Sequence, residues 1–259
     1  WLNQYNKRFI ASIAILDSDL KECWIIDSSP DIKNQLNMIM NFMEIDSLPK
    51  IRGIFLTHAH TGHYSGLLDL GKEAMNADNI PVYSMPDMAR FISSNNPFKF
   101  LISSNNIHIK EISDNQKIEL SNGVIISPFK VPHRNELSET VGYRIYSDSK
   151  SIIYIPDIDS WDQWEKDIID VIKNNDYLFL DGTFYNCEEI NNRNISEIPH
   201  PFIKDSLIKF EVLDKYNRNK IFFTHFNHTN IMLRNNNKLK QSLISDGYNI
   251  ANEGEFFYI

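Results

Sequence analysis

The sequence predicts a layered α/β protein with mixed sheets, and three observations lead there. Short β-branched or aromatic runs alternate with segments of helical periodicity along the whole chain. The first two runs, 8–16 and 22–28, are joined by Asp17-Ser18-Asp19-Leu20-Lys21 and read as a hairpin, which a purely βαβ fold lacks. At 259 residues and 42% hydrophobic side chains, the chain has material for one large domain, 1–259, and not for two.

Each element follows in order. Ser29 and Pro30 read as an N-cap and first helical residue, and Ile32, Leu36, Ile39 and Met43 recur at helical spacing. Gly53-Ile54-Phe55-Leu56-Thr57 is a short buried strand that runs into a His-rich turn. Leu67, Leu68, Leu70 and Met75 then predict a helix packed on the sheet. Further strands are expected at 81–84, 107–112, 123–131, 141–146, 151–155, 177–181 and 220–224, with a last one near 255–259. Helices are expected at 86–95, 160–174, 202–216 and 237–246.

Composition narrows the function. A formal net charge of -8 argues against a nucleic-acid partner, because a groove that neutralises phosphates needs clustered Lys and Arg. Mean hydropathy of -0.35 and the shortness of the apolar runs predict no membrane span. Two cysteines cannot form a disulfide framework; Cys23, inside an apolar run, is expected to be a buried inert thiol, with a single bridge to Cys187 left open. The chain opens with Trp1 and not Met, so the native N-terminus, with any signal or anchor, is expected to be missing. Both a cytoplasmic location and export remain open, as does the oligomeric state.

The decisive segment is Thr57-His58-Ala59-His60-Thr61-Gly62-His63. In extended backbone His58 and His60 project from the same side, and His63 follows where the chain turns into a helix. Three imidazoles at the mouth of a strand suit a borderline metal such as zinc. His133, Asp157 and His225 each close another strand-like run, and strand ends gather along one edge of a sheet, where ligand sites form. The conjunction points to a metal centre, although any one of these residues alone is more often structural.

HisAlaHisThrGlyHis resembles the HxHxDH signature of the metallo-β-lactamase fold, a four-layer αββα sandwich of metallohydrolases. His133, Asp157 and His225 match, in order and context, that fold's third histidine, bridging aspartate and last histidine. The resemblance covers essentially the whole chain. Four segments make it most similar to the branch holding the pyrroloquinoline-quinone biosynthesis B proteins and the cyclic-phosphate phosphodiesterases. These are AspSerSerProAspIle at 27–32, LeuAspGlyThrPhe at 180–184, IleProHisPro at 198–201 and ThrHisPheAsnHisThrAsn at 224–230.

The resemblance implies a first metal on His58, His60 and His133, a second on His63 and His225, and a bridging Asp157. It implies that Asp27 buttresses the His loop without binding metal, and that His200 protonates the leaving group. Gly62 stands where the signature has its aspartate, so the second site loses a carboxylate and should bind more weakly. Gly62→Asp is expected to restore a negative ligand, unless the loop needs a positive φ at Gly62, which an aspartate tolerates less well. The B proteins, in turn, usually depart from the HxH part that this sequence keeps.

The chemistry implied is hydrolysis by a metal-bound hydroxide, since a bound zinc lowers the pKa of water from about 15.7 to about 7. Asp157 orients that nucleophile, and the favoured substrate is a small phosphodiester or ester. Iron or manganese would accept the same donors as zinc. Two alternatives remain: an iron-dependent oxygenase or hydroxylase in cofactor synthesis, and a metal-holding binding protein without turnover, which Gly62 supports. Around the site, Arg134, His228 and Asn230 are candidates to contact substrate, and Asn227 to line the pocket. Polar caps and surface ion pairs with Glu136 or Glu139 explain them as well. Asp181 is expected to hydrogen-bond a ligand histidine, and 188–194 to form a solvated loop over the site. His108 is expected to be structural, and Trp161 and Trp164 to pack a helix into the core.

Overall fold

The structure is a computed structural model that describes residues 8–121, 123–189, 199–234 and 237–259. Two compact units divide it.

The first unit is Phe9–Gln116 with Asn135–Val141. The expected hairpin pairs β1 (Ile13–Asp17) antiparallel with β2 (Glu22–Ile26). Helix α1 (Ile32–Met43) follows, with Asp31 rather than Ser29 at its N-cap position, and its four periodic residues Ile32, Leu36, Ile39 and Met43 are the ones it buries. The chain then lays β3 (Lys50–Phe55) parallel to β2 and enters the one-turn α2 (Thr61–Tyr64). A 3-10 turn at Ser65–Leu70 stands where a longer helix is predicted. Strand β4 (Ile80–Ser84), helices α3 (Pro86–Ser94) and α4 (Phe98–Ser103), and β5 (Ile107–Glu111) complete a sheet of order β1-β2-β3-β4-β5. Ile25, Ile54 and Val82 of the sheet pack with the apolar face of α1 and with Leu67, Leu70, Met88 and Ile92.

The second unit contains Lys117–Arg134 and Gly142–Ile259. Its elements are β6 (Ile118–Glu119), β7 (Ile125–Lys130), β8 (Val141–Tyr146), β9 (Ser151–Ile155), α5 (Ile168–Lys173) and β10 (Tyr177–Asp181). Then come α6 (Ile203–Lys209), α7 (Lys215–Arg218), β11 (Ile221–Thr224), α8 (Lys238–Ser245) and β12 (Asn249–Ile250). The sheet runs β12-β11-β10-β9-β8-β7-β6, with β9 to β12 parallel and β8 antiparallel to β9. Its register pairs Leu180 with Ile155 and Asp181 with Thr224, so the C-terminal ends of β9, β10 and β11 lie level. Residues just beyond these ends therefore share one edge.

Three expectations need correction. Residues 255–259 form no strand: β12 takes the edge of β11 instead, and Phe257 packs edge-to-face with Tyr177, Phe179 and Phe222. The helix expected at 160–174 begins only at Ile168, because Trp161 and Trp164 turn inward to donate to Ser206 Oγ (2.9 Å) and to the Lys130 carbonyl (3.0 Å). The one expected at 202–216 breaks after α6, where Phe210 and Leu213 drop into the core and Asp214 caps α7. Helix α4 and the two-residue strands β6 and β12 have no counterpart in the sequence reading.

Candidate metal centre

The first unit holds half of the expected donors. Beyond β2 the backbone turns at Asp27, which is fully buried and has φ of 66°. Its Oδ1 accepts the Thr57 amide (2.8 Å) and the Thr57 hydroxyl (2.9 Å), and its Oδ2 accepts His63 Nδ1–H (2.7 Å). Thr57 Oγ1 in turn accepts from His58 Nδ1 at 3.0 Å. Asp27 thus fixes the His loop as the resemblance implies. Gly66 allows this closeness: its amide donates to the Ser28 carbonyl (2.9 Å), and a Cβ there would overlap the Ser29 carbonyl.

With both Nδ1 atoms tied, His58 and His63 are left with Nε2 as ligand atom. His58 Nε2 and His60 Nδ1 converge to 2.8 Å. Two nitrogens on a tetrahedral zinc with bonds of 2.0–2.1 Å lie about 3.3 Å apart, so this pair fits one ion with a slight opening. Gly62 has an ordinary φ, so the condition under which an aspartate would be strained there is not met. A Cβ at Gly62 would meet the Ile10 side chain, with Cγ2 at 3.4 Å and Cδ1 at 3.9 Å.

The second unit holds the other half. Asp157, just past β9 and 3% exposed, directs one carboxylate oxygen at each of two imidazoles. His133 Nε2 lies 3.8 Å from Oδ1, and His225 Nε2 lies 3.3 Å from Oδ2. His133 Nδ1 is anchored on Asp159 Oδ1 (2.8 Å), and His225 Nδ1 on Thr183 Oγ1 (3.0 Å). His225 follows β11 with φ of 57°, a conformation rare for a side chain with a Cβ and typical of built sites.

His200 lies on the same edge. Its Nδ1 donates to Asp181 Oδ2 at 2.7 Å and is 3.9 Å from Asp157 Oδ1. Burial opposes charge on this ring, but Asp181, with Asp157 behind it, outweighs burial and the repulsion of Arg134 and pushes its pKa up to about 9. Beside it opens a cleft of about 450 Å³, lined by Trp161, Pro201, Phe202, Asp205 and Ile208 among others. Asp157, Asp181 and His200 form a further donor group within 4.8 Å of one another.

The remaining candidates divide. Arg134 and His228 are exposed at the surface. Asn230 is buried and spent on the chain itself: its Nδ2 donates to the Gly182 and Thr183 carbonyls, and its Oδ1 caps the Met232 amide. The Asn227 amide donates to Thr183 O, and Glu139 accepts the Asp87 amide. Asp181 reaches His200 directly, but reaches His225 only through Thr183. His108, on the edge strand β5, donates from Nδ1 to the Asn79 carbonyl (3.0 Å) and is structural. Both cysteines are free thiols, which removes the bridge left open by the sequence. Residues 190–194 of the expected loop, and Ile198, lie outside the described residues. The sequence assigns no role in holding the imidazoles to Thr57, Asp159 or Thr183. Asp159 had a signal, a second carboxylate two residues after Asp157.

The beta-lactamase superfamily domain matches residues 24–226, most of the chain, and the chain belongs to that family. The coenzyme PQQ synthesis protein B of Methylorubrum extorquens (strain PA1) is 23% identical over 264 residues, 94% of this chain and 85% of that protein. Zinc-bound PqqB from Methylobacterium extorquens superposes with a TM-score of 0.77 at 22% identity, over 96% of this chain and 87% of that one. A diphosphatase of the PhnP family superposes with a TM-score of 0.66 at 21% identity, over 98% and 85%. The fold is therefore that of the metallo-β-lactamases, with two mixed sheets and their helices. Among the described residues, no helix is long and apolar enough to cross a membrane.

Proposed function

We propose that the chain is a metal-dependent hydrolase of a small phosphodiester or ester. His58, His60 and His133 hold the first metal, His63 and His225 a second and looser one, and Asp157 serves both. Zinc, when bound there, supplies a water of lowered pKa and a Lewis acid for the scissile oxygen. The protein's own part rests on one observation: an imidazole outside the histidine ligand set, held by a buried carboxylate at 2.7 Å. With Nδ1 on Asp181, His200 presents Nε2 outward and delivers a proton from it to the departing oxygen as the bond breaks, while Asp181 keeps the ring in place. Asp157 orients the attacking water, and the cleft beside His200 receives the leaving group.

A panel of chromogenic phosphodiesters and esters, assayed with zinc-, manganese- and iron-loaded protein, tests this. His200→Ala should leave metal content intact and slow turnover by about 10²–10⁴-fold, most for poor leaving groups. Equal losses across leaving groups of widely different pKa would remove the proton-donor role. No turnover on any substrate, at full metal occupancy, would remove the hydrolase.

The likeness to the PQQ synthesis B protein over 94% of the chain favours a second reading, an oxygen-using role in the synthesis of a redox cofactor. Iron retained through purification, together with oxygen consumption, would mark it; zinc and no oxygen uptake favour the hydrolase.

A further inference from the structure

The two units contain the same hydrogen-bonded arrangement built from different elements. In the first, Asp27 accepts from the Thr57 hydroxyl and from His63 Nδ1, and the Thr57 oxygen accepts from His58 Nδ1. In the second, Asp181 accepts from the Thr183 hydroxyl (2.7 Å) and from His200 Nδ1 (2.7 Å), and the Thr183 oxygen accepts from His225 Nδ1 (3.0 Å). Each time a buried aspartate at a strand end fixes one histidine directly and a second through a threonine hydroxyl.

The proton count makes the second case specific. A threonine hydroxyl has one hydrogen, and the distance to Asp181 Oδ1 assigns it there, with the Thr183 amide on the same oxygen at 2.9 Å. The Thr183 oxygen can then only accept from His225, so His225 carries its proton on Nδ1. That leaves Nε2 as the donor atom, the one that faces Asp157 Oδ2 at 3.3 Å. Thr183 is 6% exposed, and its carbonyl is held by the Asn227 amide and the Asn230 side chain, so the hydroxyl is fixed from both ends. His225 needs such support because its own backbone is in the left-handed region.

We infer that Thr183 is a positioning residue of the second metal site, a hydroxyl link through which Asp181 sets the tautomer and ring orientation of His225. The inference rests on His225 being a ligand of that site. Partners of ligand histidines change metal affinity by about 10–100-fold when removed. The test is zinc affinity, by competition with a chromogenic chelator, without any assay of turnover.

Thr183→Val keeps the shape and loses the hydroxyl; Thr183→Ser keeps the hydroxyl and loses a methyl. The valine variant should weaken the looser zinc by about 10–100-fold and leave the tighter one unchanged, and serine should stay within about threefold of the parent. Valine at parental affinity with serine weakened would make Thr183 a packing residue and overturn the proposal. His225→Ala separates the two levels. If it weakens the second zinc while valine does not, the link alone is wrong; if neither does, the ligand reading falls with it. Should the valine variant not fold, nitrogen-15 spectra of the parent's imidazoles decide, since a proton on His225 Nε2 rather than Nδ1 would equally overturn it.

Discussion

A histidine has two equivalent-looking nitrogens, and which one binds an ion is decided by what holds the other. Here Thr57, Asp27, Asp159 and Thr183 hold the Nδ1 atoms of His58, His63, His133 and His225 respectively, so four rings offer Nε2. The position without such a donor is Gly62. Because its φ is ordinary and a Cβ there makes only ordinary contact with Ile10, Gly62→Asp should add a carboxylate without strain. The second zinc should then bind at least about tenfold tighter in a metal titration. Two equally tight zinc ions in the parent would show that another side chain already replaces the aspartate. A different residue-level contrast concerns the thiols. Burial pushes the Cys23 thiol up to about 12, whereas Cys187 is exposed. Below that value Cys23 is protonated as well as inaccessible, so native protein at pH 8 should titrate with one equivalent of a disulfide reagent and denatured protein with two.

At the scale of elements, strand ends place the chemistry and close backbone contacts hold them. The 3-10 turn after the His loop is fastened to the Asp27 loop by Gly66, which has no room for a methyl group. Gly66→Ala should therefore cost about 1–3 kcal/mol or more in urea unfolding and loosen the loop that carries His58 and His63. An unchanged unfolding midpoint would mean the two loops part without loss. Much of this level is legible in sequence. His58, His133, Asp157 and His225 announce themselves because strand ends are marked locally by apolar runs that stop. Thr57, Asp159 and Thr183 do not, since their partners are chosen by register and not by spacing. The same limit explains the overlong helices. The spacing of Trp161 and Trp164 looks helical, but burial of both rings and a hydrogen bond from each indole take the backbone elsewhere. Phe257 likewise belongs to the face of a sheet and not to its edge, a choice no alternation pattern reveals.

For the whole molecule, the ligand set proposed draws on residues as far apart in sequence as His58 and His225, which an unfolded chain does not bring together. Metal therefore binds the folded state alone, and its binding free energy adds to folding. At free zinc 1,000 times the dissociation constant the gain is about 4.1 kcal/mol. For a chain of this size that corresponds to about 8–16 °C in Tm, at roughly 2–4 °C per kcal/mol. Removing zinc with a chelator should lower Tm by that order, and adding zinc back should restore it. His58→Ala and His133→Ala should each show the low value from the start and no response to chelation, because each removes an imidazole from the tighter site. His225→Ala, which touches only the looser site, should keep most of the response. A parent whose Tm ignores the chelator would place its metal, if any, outside these residues. A His58→Ala variant that still responds fully would show that the His loop is not the anchor of the tight ion.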